Sequence, residues 1–234
     1  MNQTRNTPRQ KAANYKYVKE ISPRNDAQRR YLESIDSNIV TFGVGPAGTG
    51  KTYLAMYQAI CSIWHKKTTG IKRIILTRPV VEAGEKLGFL PGAIEDKMDP
   101  YMRPLYDSLY DLVGLEPGRE KIDKGIIEIA PIAFMRGRTF NDAFVIVDEA
   151  QNCSFAQLKM ALTRLGENVK CVINGDTSQS DLNGKSGLNR IAEALKDTEG
   201  VKVVRFNNAD VVRSQIARDI LTSIDRFNDE GNNT

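Results

Sequence analysis

Gly45-Pro46-Ala47-Gly48-Thr49-Gly50-Lys51-Thr52 meets every defined position of the pattern G-x-x-x-x-G-K-[ST], whose chemistry is the holding of phosphate. A polyphosphate needs several backbone N–H donors converging on one point, and Gly45, Gly48 and Gly50 free the loop of the side-chain bulk that would prevent it. Lys51 can place a point charge on the β- and γ-phosphates, and Thr52 can offer its hydroxyl to Mg²⁺. The helix that begins here and continues through Tyr53 turns its positive end toward the anion. The nucleotide-binding candidates are therefore Gly45, Pro46, Ala47, Gly48, Thr49, Gly50, Lys51, Thr52 and Tyr53.

A second constellation answers the first. Phe144-Val145-Ile146-Val147 is an apolar run ending in Asp148-Glu149. At the carboxyl end of a parallel strand, Asp148 can enter the metal shell, and Glu149 can polarise the water that attacks the γ-phosphate. Acidic residues also mark strand ends for structural reasons alone, but beside a phosphate loop the pair reads as metal and water residues. Asn174-Gly175-Asp176-Thr177-Ser178-Gln179 follows another apolar run, so its polar groups should face the same crevice. Gln179 is the candidate γ-phosphate sensor; the alternative for Asn-Gly-Asp is a turn, and a turn could itself present Gln179. Upstream, Gln28 carries an amide able to pair with both the donor and the acceptor on the adenine edge.

These residues need a parallel sheet to bring them together. Continuous apolar runs at 39–42, 73–77, 126–129, 143–147, 170–174 and 201–206 read as strands buried on both faces, with helices between them. Lys51 to about Lys66 reads as the crossover helix. Ser154 opens a capping box with Gln157, followed by the stripe Phe155, Leu158, Leu162, Leu165. A further helix is expected around 188–195, and Asp210 is expected to cap a last one through Ile216, Ile220 and Ile224. Between the second strand and the acidic motif lies a proline-rich insertion, roughly 80–139, with a helical stretch at 105–113. Its Tyr101, Tyr106 and Tyr110, with Arg103, Arg136 and Arg138, could stack bases and hold phosphates or could build a packed subdomain.

The 234 residues are 41% hydrophobic and 26% charged, which fits one sizeable core. No apolar run is long enough to cross a bilayer and the amino terminus has no apolar signal core, so the expected location is cytoplasmic, without membrane. Cys61, Cys153 and Cys171 lack metal-ligand spacing and read as buried thiols. His65 is the sole histidine, which excludes a histidine-rich metal site. The net charge of +4 is mild, but residues 1–20 form a basic arm, either a solvated terminus or a phosphate-contacting one. Residues 21–226 read as one domain and 227–234 as a polar tail.

The phosphate loop, the segment Leu76 to Gly92, Met135-Arg136-Gly137-Arg138-Thr139-Phe140-Asn141-Asp142-Ala143-Phe144, Asp148-Glu149-Ala150-Gln151-Asn152 and Gly175-Asp176 together resemble the PhoH family of phosphate-starvation-inducible ATPases. The resemblance spans about 22–225. It implies an α/β phosphate-loop (P-loop) NTPase fold, RecA-like and similar to the first motor domain of superfamily-1 helicases, with a parallel sheet flanked by helices. It also implies ATP, Mg²⁺ and association with RNA or single-stranded nucleic acid. Two departures stand out: Val212-Arg213-Ser214-Gln215 replaces the family's Val-Arg-His-Pro, and the nucleic-acid-binding or nuclease domains of some longer members are not found. A motor-type site in a chain with one motor domain needs its arginine from elsewhere. Supplied in trans by Arg136, Arg138 or Arg213 of a neighbouring copy, it would make the active unit a head-to-tail homo-oligomer, a ring such as a hexamer. Each arginine could instead sit in an internal ion pair. The competing reading is an ATP-dependent switch for a protein partner, without movement on nucleic acid.

Overall fold

Strands whose side chains are apolar on both sides must be covered on both sides, and the sheet meets that demand. In the computed structural model, residues 18–64, 70–80, 94–176 and 186–212 are described, with 216, 217, 219, 220 and 223; for 94–99 only the backbone is described. Along the chain, α1 (Asp26–Ser37), β1 (Val40–Val44), α2 (Lys51–Trp64), β2 (Arg73–Arg78), α3 (Ile94–Val113) and α4 (Leu115–Asp123) come first. After them come β3 (Ile127–Pro131), β4 (Ala143–Val147), α5 (Phe155–Leu162), β5 (Val169–Gly175), α6 (Leu188–Leu195) and β6 (Val201–Arg205). The six strands lie in the order β3-β2-β4-β5-β1-β6, all parallel.

The strand period of two divides the core into two halves. Ile74, Leu76, Phe144, Ile146 and Val172 face α1, α2 and α3, where Tyr31, Ile60, Leu105 and Leu109 meet them. Ile75, Val145, Val147, Cys171 and Ile173 face the other way, toward Leu158 of α5 and Leu188 and Ile191 of α6. All three cysteines are buried and outside any disulfide, as expected. Burial pushes Cys153 and Cys171 up to about 12, so neither is a thiolate near neutrality. No described helix is long and apolar enough to cross a membrane.

Several expectations are adjusted. The first strand starts at Val40, since Ile39 is exposed. Helices α1 and α4 were not anticipated. Asn25 caps α1 by accepting from the Gln28 N–H at 2.9 Å, and the stripe Ala27, Tyr31, Ile35 is buried. Asp210 closes the 3-10 turn Asn208–Asp210, its carboxylate accepting from the Asn207 N–H at 2.9 Å; residues 216, 217, 219, 220 and 223 are helical, as expected of the last helix, and 213–215 lie outside the described residues. Ile216 and Ile220 are exposed, and Ile224 lies outside the described residues. The proline-rich insertion contributes α3, in which Pro100 and Pro104 cost two backbone donors. Burial of Met102, Leu105, Leu109 and Leu112 holds the helix regardless. Tyr101, Tyr106 and Tyr110 pack against this core, the last two stacked at 6.1 Å, which favours the packed-subdomain reading of these aromatics.

Candidate nucleotide site

Strand order places the carboxyl ends of β4, β5 and β1 side by side, and the loops that leave them carry the candidate residues. The phosphate loop leaves β1 at Gly45, whose φ of 149° and whose position against β6 both require glycine. A Cβ there would lie 2.4 Å from the Phe206 carbonyl. The loop is stitched to β5: the Gly45 N–H donates to the Gly175 carbonyl at 3.0 Å and the Ala47 N–H to Asp176 Oδ2 at 2.9 Å. Lys51 opens α2, and its ammonium donates back to the Gly45 and Pro46 carbonyls at 2.7 Å each. Burial lowers the Lys51 pKa, while Asp176, Asp148 and Glu149 pull it back up.

Thr52 Oγ1 donates to Asp148 Oδ1 at 2.6 Å, joining the two expected metal residues across β1 and β4. The donors there are a hydroxyl and a carboxylate, hard oxygens that suit Mg²⁺. Among the described residues no group of three or more His, Cys, Asp or Glu could hold an ion alone. Glu149 follows in a left-handed conformation, φ 51° and ψ 39°, rare for a residue with a side chain and costing about 1–3 kcal/mol. Its carboxylate is held from two sides, by the Gln151 amide and by Arg78, whose Nη2 lies 3.3 Å from Oε1. Arg78 also donates to the Tyr101 carbonyl at 3.2 Å, so the last residue of β2 ties the inserted α3 to Glu149. Sequence reading placed Arg78 only within a family segment; nothing but the β2–β4 pairing identifies its contact with Glu149.

Burial, ahead of the charge of Glu149, pushes the Asp148 carboxyl from 3.8 up to about 6. For the ligand-free protein the sign follows directly. Below 3.8 the group is protonated folded and unfolded, and no penalty exists; between 3.8 and about 6 the folded state alone keeps its proton, so stability falls as pH rises; above about 6 the penalty is complete. Two units correspond to about 3 kcal/mol as an upper bound. Asp148→Asn should therefore stabilise the protein in EDTA near neutral pH by up to about 3 kcal/mol. Urea unfolding midpoints identical to those of the parent across this window would contradict it.

Two adjoining cavities meet at Gly48, Gly50 and Tyr53. The smaller, about 250 Å³, is lined by Lys51, Thr52, Asp148, Glu149, Asn174 and Asp176 among others. The larger, about 450 Å³, is lined by Gln28, Arg24, Ile21, Lys19, Leu54 and Val212 among others. Gln28 is buried, its Nε2 donating to the Thr49 carbonyl at 3.0 Å and its Oε1 accepting from the Arg24 N–H at 2.7 Å. One hydrogen and one lone pair of the amide remain for a ligand. Lys19, counted with the basic arm, is fixed on α3 by Leu112 and Asp111, and Tyr53 donates to the same Asp111 carboxylate at 2.6 Å.

The arginines separate. Arg138 is paired with Glu128 through both nitrogens, one at 2.7 Å, and its guanidinium lies 4.8 Å from the Phe140 ring centre. This is the internal ion pair set beside the role in trans. Arg136, after a 3-10 turn beyond β3, is exposed. Gln179, Arg213 and His65 lie outside the described residues.

A family model described as PhoH-like protein matches residues 20–225. A PhoH-like protein of Bacillus subtilis is 50% identical over 90% of this chain and 66% of its own length. One of Mycobacterium tuberculosis is 49% identical over 91% and 60%. Protein PhoH of Escherichia coli is 47% identical over 85% and 56%. The chain thus spans about three-fifths of the length of these relatives. The large terminase of a thermophilic bacteriophage shares the fold, with a TM-score of 0.52 at 10% identity over 86% of this chain and 50% of that one. On the family match across nearly its whole length, this chain belongs to the PhoH-like protein family.

Proposed function

We propose that the chain binds Mg-ATP and hydrolyses it, and that it works as a homo-oligomer on RNA or single-stranded nucleic acid. The observation that carries the chemistry is the meeting of Lys51, Thr52, Asp148 and Glu149 around one cavity that opens into the Gln28-lined one. The smaller space takes the phosphates; the larger takes the nucleoside. Lys51 and the loop N–H groups bind the β- and γ-phosphates. Thr52 Oγ1 and Asp148 would hold Mg²⁺, and what that ion supplies when bound is positive charge beside the same phosphate oxygens. Glu149 accepts a proton from a water whose oxygen bonds to the γ-phosphorus as the bond to the β–γ bridging oxygen breaks, leaving ADP and inorganic phosphate. Gln28 recognises the base edge with its remaining hydrogen and lone pair.

The nucleic-acid role is supported by the family's likeness to helicase motors and by the basic amino-terminal residues. Such groups neutralise phosphates and read no bases. Affinity for single-stranded RNA should then be insensitive to sequence and fall steeply with salt. For about four neutralised phosphates, a fourfold rise in salt should weaken binding roughly fiftyfold. Fluorescence-anisotropy titrations of several RNA sequences across a salt series, with ATPase rates measured in parallel, check this. Undetectable binding at low salt, with hydrolysis indifferent to RNA, would favour the switch for a protein partner instead.

A further inference from the structure

Asn174 is 1% exposed, at the carboxyl end of β5 beside Gly43 of β1. Its Oδ1 accepts a hydrogen bond from Tyr31 Oη at 2.5 Å. Tyr31 comes from α1, is fully buried, and is steadied edge-on against Phe206 at 5.4 Å. The contact exists because β1 carries no side chain where it passes: a Cβ at Gly43 would lie 2.5 Å from Asn174 Oδ1 and 2.8 Å from Tyr31 Cε2. Three elements are thus shaped around one amide. Its other half, Nδ2, is buried without a hydrogen-bond partner among the described residues, and Asn174 is one of the residues lining the cavity that holds Lys51, Thr52, Asp148 and Glu149.

A buried donor left without an acceptor is costly, and an apolar residue of similar size would avoid the cost. Turning the amide over would not help, because Nδ2 would then face Tyr31, whose own O–H would lose its acceptor. An acceptor in the cavity satisfies Tyr31 and both halves of Asn174 together. A lysine ammonium and the loop N–H groups make that space fit for an anion. We propose that Asn174 Nδ2 donates to an oxygen of the terminal phosphate of bound ATP, making Asn174 a catalytic residue, and that Tyr31 is the positioning residue that fixes its amide. This inference rests on the ATPase reading above and adds a described residue to the γ-phosphate contact expected of Gln179.

Asn174→Asp isolates the donor, since it keeps the size and the acceptor for Tyr31 and replaces only Nδ2. Three quantities should be measured: affinity for ADP, affinity for the slowly hydrolysed analogue ATPγS, and steady-state turnover. ADP affinity should stay within about threefold, the preference for triphosphate over diphosphate should fall about tenfold or more, and turnover should fall about a hundredfold. Asn174→Ala, with its melting temperature, separates loss of the donor from gain of a charge. Tyr31→Phe should lower kcat about tenfold with little change in KM, which a merely structural role would not produce. Turnover within about threefold of the parent in both Asn174 variants, or equal loss of diphosphate and triphosphate affinity, overturns the assignment. A parent chain that binds ATPγS but hydrolyses no ATP would sink the hydrolase reading, while the affinity ratio would still decide for or against Asn174.

Discussion

Lys51→Ala is expected to lose nucleotide affinity, and Glu149→Gln to keep affinity while losing turnover. The two differ because, in the proposed mechanism, Lys51 holds phosphate in the ground state and Glu149 acts only as water attacks. A charge-assisted hydrogen bond of about 1.5–3 kcal/mol makes the first loss roughly ten- to a hundredfold or more. Lys51→Ala also removes the donor that two loop carbonyls share, which adds disorder to the loop itself. Removal of a general base should slow turnover by about 10²–10⁴. Equilibrium titration with a fluorescent ATP analogue, followed by phosphate release from the same preparations, reads both. Undiminished turnover in Glu149→Gln would remove Glu149 as the base, and undiminished affinity in Lys51→Ala would place the phosphates elsewhere.

If, as proposed, the chain works as a homo-oligomer whose neighbouring copy supplies an arginine, loss of that arginine is the second large effect expected, about 10³ or more in rate with nucleotide binding spared. Arg138 is engaged by Glu128 and Arg78 by Glu149, whereas Arg136 is exposed beyond the edge strand β3. Arg136→Ala is therefore the variant expected to lose turnover alone. Mixing is the sharp version: Glu149→Gln with its arginines intact, combined with Arg136→Ala that keeps Glu149, should regain activity when one copy completes the other's site. Specific activity of the parent should also rise with protein concentration. A rate independent of concentration, with no recovery on mixing, contradicts a shared site; recovery with an Arg213 variant in place of Arg136 would move the role there.

The inner strands β2, β4, β5 and β1 were legible because they are buried on both faces, and Ala143–Val147 has the bounds read from sequence. Lys51, Thr52, Asp148 and Glu149 were legible for a different reason, since motif spacing alone demands that they meet. What sequence hid follows two patterns. Helix α1 is polar apart from a thin stripe, and α4 contains Pro117 and Gly118, which read as breakers. Pro117 sits in the first turn, where a missing N–H costs nothing, and Gly118 lets Tyr110 approach to 2.7 Å of a would-be Cβ. The contacts of Arg78 with Glu149, Asp176 with the Ala47 N–H, and Tyr31 with Asn174 depend on which strands neighbour one another and in what register. A single sequence does not carry that information, so these contacts emerged only from the fold.

Release of inorganic phosphate from Mg-ATP by the parent chain, followed over many turnovers beside Glu149→Gln and an EDTA control, tests the central claim most directly. Sustained multiple turnover by the parent alone, abolished by EDTA and by the loss of Glu149, is the expected result. ATP bound with ordinary affinity but released intact, with phosphate no higher than in the Glu149→Gln control, would contradict it.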